Sequence, residues 1–446
     1  IIGFSAGGGA TLTGHDNVII GRDAGHDVTS GESNCYIGRN AGDKTLDGSY
    51  NTVLGSNALG ADAGNSNVAV GYQAGKDNTA ANNVFVGMEA GLSNSSGTSN
   101  VMMGFDAGRF ATTADSSVFI GTDAANGITG TKLTGNLNIA IGDRAAKNIR
   151  GAAVANTFVG GLSGGNGAIT GTHNVSVGAE SLYALTSGVS NIAIGYQAGA
   201  GNTTANESVA IGREALETQA DGDGHIAIGH QALRVYNENT NEANVAIGYQ
   251  AGLAQTSGNS NVYIGYQAGD GTIDSGNNTA VGTRALSADS GGTNTAIGSD
   301  ALIACTGFDN TCVGYTAGFG VTGGHNNLLL GHNAGRSTSP GGNITSGVDI
   351  ITLGDTSIVT ANIKVDWTVS SDQRDKTDFT ALDIGLDFVK ALKPVTYKWD
   401  ERANYGDLDA DDWSLSDQTP DGTHKKEQLD VGFKAQEVEA LEQAAG

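Results

Sequence analysis

The chain has 446 residues, of which 70 are glycine and only 3 proline, with a formal net charge of −24. A collagen-like helix is excluded, because there is no Gly-X-Y period, and plain disorder is excluded by valine, isoleucine and leucine recurring at fixed places. So acidic a surface repels nucleic acid and anionic membrane faces, and no stretch approaches the ~20 apolar residues of a membrane helix, so neither nucleic-acid binding nor membrane insertion is expected.

One pattern recurs from Ile1 to about Gly354: Asn, three mostly apolar residues, Gly, two variable residues and a small residue. Good copies are NVAVGYQAG from Asn67, NIAIGYQAG from Asn191, NVAIGYQAG from Asn244 and NVYIGYQAG from Asn261. The closing glycines run from Gly3 to Gly354 in 21 copies, typically 16 to 18 residues apart, and longer gaps ending at Gly142, Gly248 and Gly354 read as loop insertions. The chain opens as IIGFSAG, in the middle of a repeat, with no signal peptide, so the natural N-terminus is expected to lie upstream.

A unit this short cannot bury its own apolar face, whereas stacked units bury it coil upon coil. The first and third apolar residues of a copy face one way and the middle one, often alanine, faces the other. Both faces are expected to be buried. Three residues after the glycine stands Ala or Ser, from Ala6 through Ala334 to Ser357, which implies a tight corner. The glycine supplies a positive φ or a close backbone approach. The opening asparagine can stack into a ladder. With strand neighbours ~4.8 Å apart, the repeats make a rod roughly 100 Å long. The fold class expected is mainly β: a parallel β-solenoid rod.

Three cysteines, Cys35, Cys305 and Cys312, form no CxxC pair and read as small core fillers. His15, His173, His225 and His325 echo the repeat position rather than a metal site, so neither a metal nor a cofactor is expected. Tyr-Gln follows the glycine at Tyr72, Tyr196, Tyr249 and Tyr266. These tyrosines mark a solvated or interface-facing corner, and they are the residues most open to a receptor. Arg22, Arg39 and Arg213 hold equivalent corners and are expected to pair with local acids.

After about Gly354 the character changes: lysine and tryptophan appear and glycine thins out. Thr360 opens a segment, TANIKVDWTVS, that alternates like a strand. Leu382, Leu386, Val389 and Leu392 recur at helical spacing, which predicts a helix near 381–392, ended by Pro394. VTYKW, residues 395–399, and VGF from Val431 read as strands, and AQEVEALEQ begins another helix.

Asn-x-Val-Ala-Ile-Gly-x-x-Ser/Ala resembles the head repeat of trimeric autotransporter adhesins and of bacteriophage tail fibres, over about residues 1–335. In those relatives a left-handed β-roll packs as three chains, so the resemblance implies a homotrimer. Three C-terminal features resemble the endosialidase-type intramolecular chaperone domain of phage tail spikes: Ser371-Asp372-Gln373-Arg374-Asp375-Lys376, LKPVTYKW from Leu392, and GFKAQEVE from Gly432. That family trimerises, helps the preceding rod to fold and cuts itself off before the motif serine. The resemblance therefore implies a single-turnover cut at the Ser370–Ser371 bond, with Ser371 as nucleophile, Lys376 as general base, and Asp372 and Arg374 bracing the turn. Asp375 departs from the leucine common in the family and adds a charge beside Lys376.

The organisation expected is a repeat shaft over 1–345, junction strands over 346–370 and a small α+β chaperone domain over 371–446, C-terminally incomplete. The function expected is a virion appendage, a phage tail fibre or spike, extracellular after release, whose partners are other tail proteins and a host-surface glycan or protein. The alternative is the head of a bacterial surface adhesin.

Overall fold

The computed structural model describes residues 1–9, 11–238, 243–361, 385–400 and 419–445. The chain divides into two compact units, Ile1–Thr356 and Ser357–Gly446.

The first unit is one parallel sheet of 20 three-residue strands, from β1 (Val18–Ile20) to β20 (Ile351–Leu353). Each strand pairs in register with the next in sequence: Val18 with Cys35, Ile19 with Tyr36 and Ile20 with Ile37, and so on to Leu330 with Leu353. The expected solenoid is present. The first copy contributes only a parallel bridge, Ile2 to Ile20. Every strand is one side of a coil that returns to the same place one repeat later.

The interior is narrow. The middle residue of each strand points into it and is buried, whether small, as Ala193, Ala227 and Ala246, or large, as Tyr36, Phe85 and Phe158. The residue three after the closing glycine is also buried, from Ala24 to Ala334, while Ser357 in the last copy is exposed. The first and third strand residues depart from expectation. They share the opposite face of the pleat, which looks out of the coil, and are half-buried or exposed in every strand. A coil this thin admits one strand side chain, and the aliphatic pair is left outside it.

Two devices hold successive coils together. At the closing glycine the backbone has a positive φ, and consecutive glycines stack so closely that a Cβ on Gly38 (φ +134°) would lie 2.7 Å from the carbonyl oxygen of Gly55. Only glycine meets both demands. The second device is the asparagine ladder. Asn51 N–H donates to Asn34 Oδ1 (2.8 Å), Asn67 N–H to Asn51 Oδ1 (2.9 Å) and Asn83 N–H to Asn67 Oδ1 (3.0 Å). The amide nitrogen then donates forward, as from Asn34 Nδ2 to the Gly48 carbonyl (2.8 Å) and from Asn83 Nδ2 to that of Gly97 (2.9 Å). Each rung thus satisfies backbone groups that the corner would otherwise bury without partners.

In the second unit, helix α1 (Gly385–Ala391) lies within the predicted helical span. Strands β21 (Val395–Tyr397) and β22 (Asp430–Gly432) pair antiparallel, with Thr396 opposite Val431. Helix α2 (Ala435–Ala445) follows where predicted. The strand expected in 360–370 lies almost wholly outside the described residues.

Candidate functional site

The outward strand residues form two columns along the first unit. The third-position column runs Ile192-Ala193-Ile194 to Val209-Ala210-Ile211 to Ile226-Ala227-Ile228 and onward in strict register, so that Ile194, Ile211, Ile228, Ile247 and Ile264 stand one above another. In all 20 strands this position is Ile, Val, Leu or Met. The first-position column alongside it is mostly Val, Ile or Thr, with Cys35 at the second strand. Leu54 is 49 % exposed, Ile194 39 % and Ile264 37 %. At ~4.8 Å per coil the pair of columns is a largely aliphatic stripe roughly 90 Å long. Exposed apolar patches of that extent mark interaction surfaces. Sequence reading placed these residues in the core. The signal that could have found them is the strand itself: an alanine between two bulky aliphatics says which face has no room.

The glycine-following corner is a second surface. Tyr72, Tyr196, Tyr249 and Tyr266 are all exposed there. Tyr249 and Tyr266 are stacked in one column. His230 stacks on Tyr249 (centroids 5.1 Å, 10° apart) and Tyr249 on Tyr266 (5.2 Å, 8°), while the Arg213 guanidinium lies 5.9 Å from the Tyr196 ring centre. Both faces of Tyr249 are thereby covered, and a sugar ring has no free face there to stack on. Beside the rings runs an amide ladder absent from the sequence reading: Gln267 Nε2 donates to Gln250 Oε1 (3.0 Å), Gln250 to Gln231 (2.9 Å) and Gln231 to the Glu214 carboxylate (2.8 Å). The Gln231 bond, ahead of Arg213, holds the Glu214 carboxyl below the usual carboxylate range. The expected corner ion pairs form at Arg22 with Asp23 (3.3 Å) and Arg213 with Glu214 (2.8 Å).

Ser370, Ser371, Asp372, Arg374 and Lys376 lie outside the described residues. What the second unit does present is the frame of the two downstream motifs. Tyr397 meets Trp399 edge to face (5.5 Å, 81°). Trp399 accepts the Lys426 N–H at its carbonyl (2.8 Å), and Asp400 Oδ2 accepts the Gly422 N–H (2.8 Å). Leu392, Phe433, Val438 and Leu441 line a groove together with Lys434 and Glu437, which pair at 2.7 Å. Trp399, Val431 and Phe433 remain exposed.

Among the described residues no group of three or more His, Cys, Asp or Glu is placed to hold a metal ion, and no helix is long and apolar enough to cross a membrane. No curated protein and no solved structure matches the chain. Residues 371–446 match the model of the family described as chaperone of endosialidase.

Proposed function

We propose that the chain is the shaft of a homotrimeric phage tail fibre or spike, whose C-terminal residues assist trimer assembly. The observation that carries this reading is the outward aliphatic stripe. An uninterrupted column of Ile, Val, Leu and Met along 20 parallel strands has no purpose on a monomer in water. Three parallel copies, each turning this face to a common axis, would bury it in a core as regular as the repeat. The matched C-terminal family supports it, since an assembly aid belongs after a rod whose chains must meet in register. The corners and loops away from the axis would face a host-surface glycan or protein, and the upstream end would join other tail proteins. The place of action on this reading is the virion, and the extracellular medium once released.

The same reading assigns Ser371 and Lys376 to a single self-cleavage. Lys376, as a neutral amine, would take the hydroxyl proton of Ser371. The freed oxygen would attack the Ser370 carbonyl carbon, the C–N bond would break as the Lys376 ammonium passes its proton to the departing Ser371 nitrogen, and water would hydrolyse the resulting ester. Asp372 and Arg374 would orient the pair.

Intact mass and sedimentation of the full chain, wild type against Ser371→Ala, test the proposal. It expects a three-copy particle for both, cut between residues 370 and 371 only in the wild type. A monomeric mass overturns the trimer, and identical uncut masses overturn the cleavage while leaving the trimer standing.

A further inference from the structure

Asparagine is replaced singly at the Ser117 rung and, at one place, over two successive rungs. Between Asn191 and Asn244 the rungs are Ser208 and His225. Ser208 N–H still donates to Asn191 Oδ1 (3.0 Å), but His225 N–H reaches Ser208 Oγ at only 3.3 Å, and Asn244 N–H donates to His225 Nδ1 (3.1 Å). Most asparagine rungs also donate forward, as Asn191 Nδ2 does to the Ala205 carbonyl (2.6 Å), although Asn51 Nδ2 is buried without a partner. The imidazole has no equivalent: Nε2 is buried without a hydrogen-bond partner, against Gly222, whose added Cβ would lie 2.9 Å away. Gln219 Oε1, in the same coil, is buried without a partner too. The residue itself is fully buried, its ring tilted on that of Tyr236 (4.6 Å, 55°).

The bond from Asn244 fixes the chemistry. A ring nitrogen that accepts an N–H must be unprotonated, so the closed coil requires neutral His225. Protonation at Nδ1 would set donor against donor and place a cation in the core. We infer that the coil through Ser208, His225 and Asn244 is an acid-labile seam, the point at which the rod opens first when the pH falls.

The surroundings favour the neutral ring. Burial is the leading cause and pushes the His225 pKa down to about 4, against the single opposing influence of the Asp223 carboxylate. Asp223 is itself turned to Asn206, accepting from its N–H (2.7 Å) and Nδ2 (3.1 Å). From the coil before comes Ser208, which is neutral. From the coil after come Asn244 and Tyr236, whose hydroxyl donates to Asn259 Oδ1 (2.9 Å). The Glu238 carboxylate accepts the Gly258 N–H. An opened coil takes up its proton near 6.5 and the closed one near 4, so the opened form binds more protons in this window. Closure is favoured above it and is progressively lost as pH falls through it. Opening should rise on the order of a hundredfold between pH 7 and pH 4.

Amide hydrogen exchange of the full chain, read by mass spectrometry and normalised for intrinsic rates, tests this. Peptides from 209–246 should lose protection about a hundredfold between pH 7 and pH 4 relative to those from 67–101, where Asn67, Asn83 and Asn100 form an unbroken ladder. His225→Asn restores the ladder's usual residue and should abolish the difference. Ser208→Asn should keep it. Equal responses of the two segments in the wild type overturn the seam, a comparison that needs no variant to fold. Loss of the difference in Ser208→Asn, or its persistence in His225→Asn, overturns the role of the imidazole.

Discussion

Gly164 lies flat against the ring of Phe158: a Cβ on this glycine would sit 2.6 Å from Phe158 Cε1. Both belong to one coil, Phe158 at the middle of its strand and Gly164 four residues past the closing Gly160. The same pairing recurs where Gly42 faces Tyr36 and Gly108 faces Met102. Where the strand centre is alanine the glycine position can be leucine instead, as at Ala210 with Leu216, Ala227 with Leu233 and Ala280 with Leu286, all buried. The interior volume is therefore shared between these two positions and with the neighbouring coils: where both are small, as Ala69 with Gly75 and Ala193 with Gly199, a large side chain of an adjacent coil, Phe85 or Leu182, lies against the glycine.

Exchange of that volume should be tolerated where its simple loss or gain is not. Phe158→Ala should cost about 3–5 kcal/mol by opening a cavity. Gly164→Leu should also destabilise, by overpacking. The backbone does not forbid leucine there, because Leu216 holds the same left-handed conformation (φ 51°). The double variant reproduces the Ala-and-Leu arrangement, and denaturant unfolding should give it a favourable coupling of about 1–3 kcal/mol. Simple additivity would contradict the volume account.

The ladder rungs differ in what they satisfy, and so should their substitutions. Asn83→Ala leaves the Asn100 N–H without its acceptor, while the Gly97 carbonyl keeps Asn94 Nδ2 as a donor (2.9 Å), so the change should cost about 1–3 kcal/mol for the one orphaned group. Asn83→Ser should cost less, because Ser117 already serves as a rung: its Oγ accepts the Asn138 N–H at 3.2 Å. Equal unfolding midpoints for the two variants would show that the side-chain acceptor is immaterial.

The closing glycine should be the least replaceable residue of the repeat. Gly38→Ala brings a methyl group to 2.7 Å from the Gly55 carbonyl oxygen at a φ of +134°, a strain that the stacked backbone cannot relieve locally. A loss of more than about 2 kcal/mol is expected, against a few tenths for an alanine at the exposed Ser96. Hydrogen exchange should place the new weakness at residues 37–56 and nowhere else.

Much of this was legible in the sequence because a repeat writes each constraint twenty times over. The strand positions, the glycine corner and the buried small residue at Ala24 or Ala198 follow from spacing alone. The side of the sheet that is inside did not follow. Val-Ala-Ile has two apolar faces, and a binary pattern of apolar and polar residues cannot rank them. Volume can, since a single coil closes over alanine and leaves Ile192 and Ile194 outside. The Gln250–Gln231–Glu214 ladder was hidden for another reason: it depends on which coils are neighbours, a property of the stack rather than of one copy. The residues around Ser371 rest on motif order, and their placement lies outside the described residues.

If the stripe is an interface, charge on it should weaken assembly without unfolding the coil. Ile247→Asp places a carboxylate inside the third-position column, between Ile228 and Ile264. On a lone rod this is a substitution at a 36 % exposed site, where the lost strand preference and cross-strand contacts should cost about 1 kcal/mol. In the assembly one carboxylate from each copy would be brought together in an apolar core, and sedimentation should show dissociation at concentrations where the wild type is intact. Unchanged association would place the contact elsewhere.

The most direct measurement compares two engineered thiols of like exposure on the single chain. Leu54, in the outward column, is 49 % exposed, and Leu46, between strands in the preceding coil, is 43 % exposed. The full chain carrying Leu54→Cys or Leu46→Cys is labelled with a maleimide, and the modified peptides are resolved by mass from those of Cys35, Cys305 and Cys312. With the aliphatic face shared between copies, Cys at 46 should label at the rate of a free thiol and Cys at 54 at least tenfold more slowly. Equal rates at the two positions would mean that the face is open to water and that the stripe is not where the chains meet.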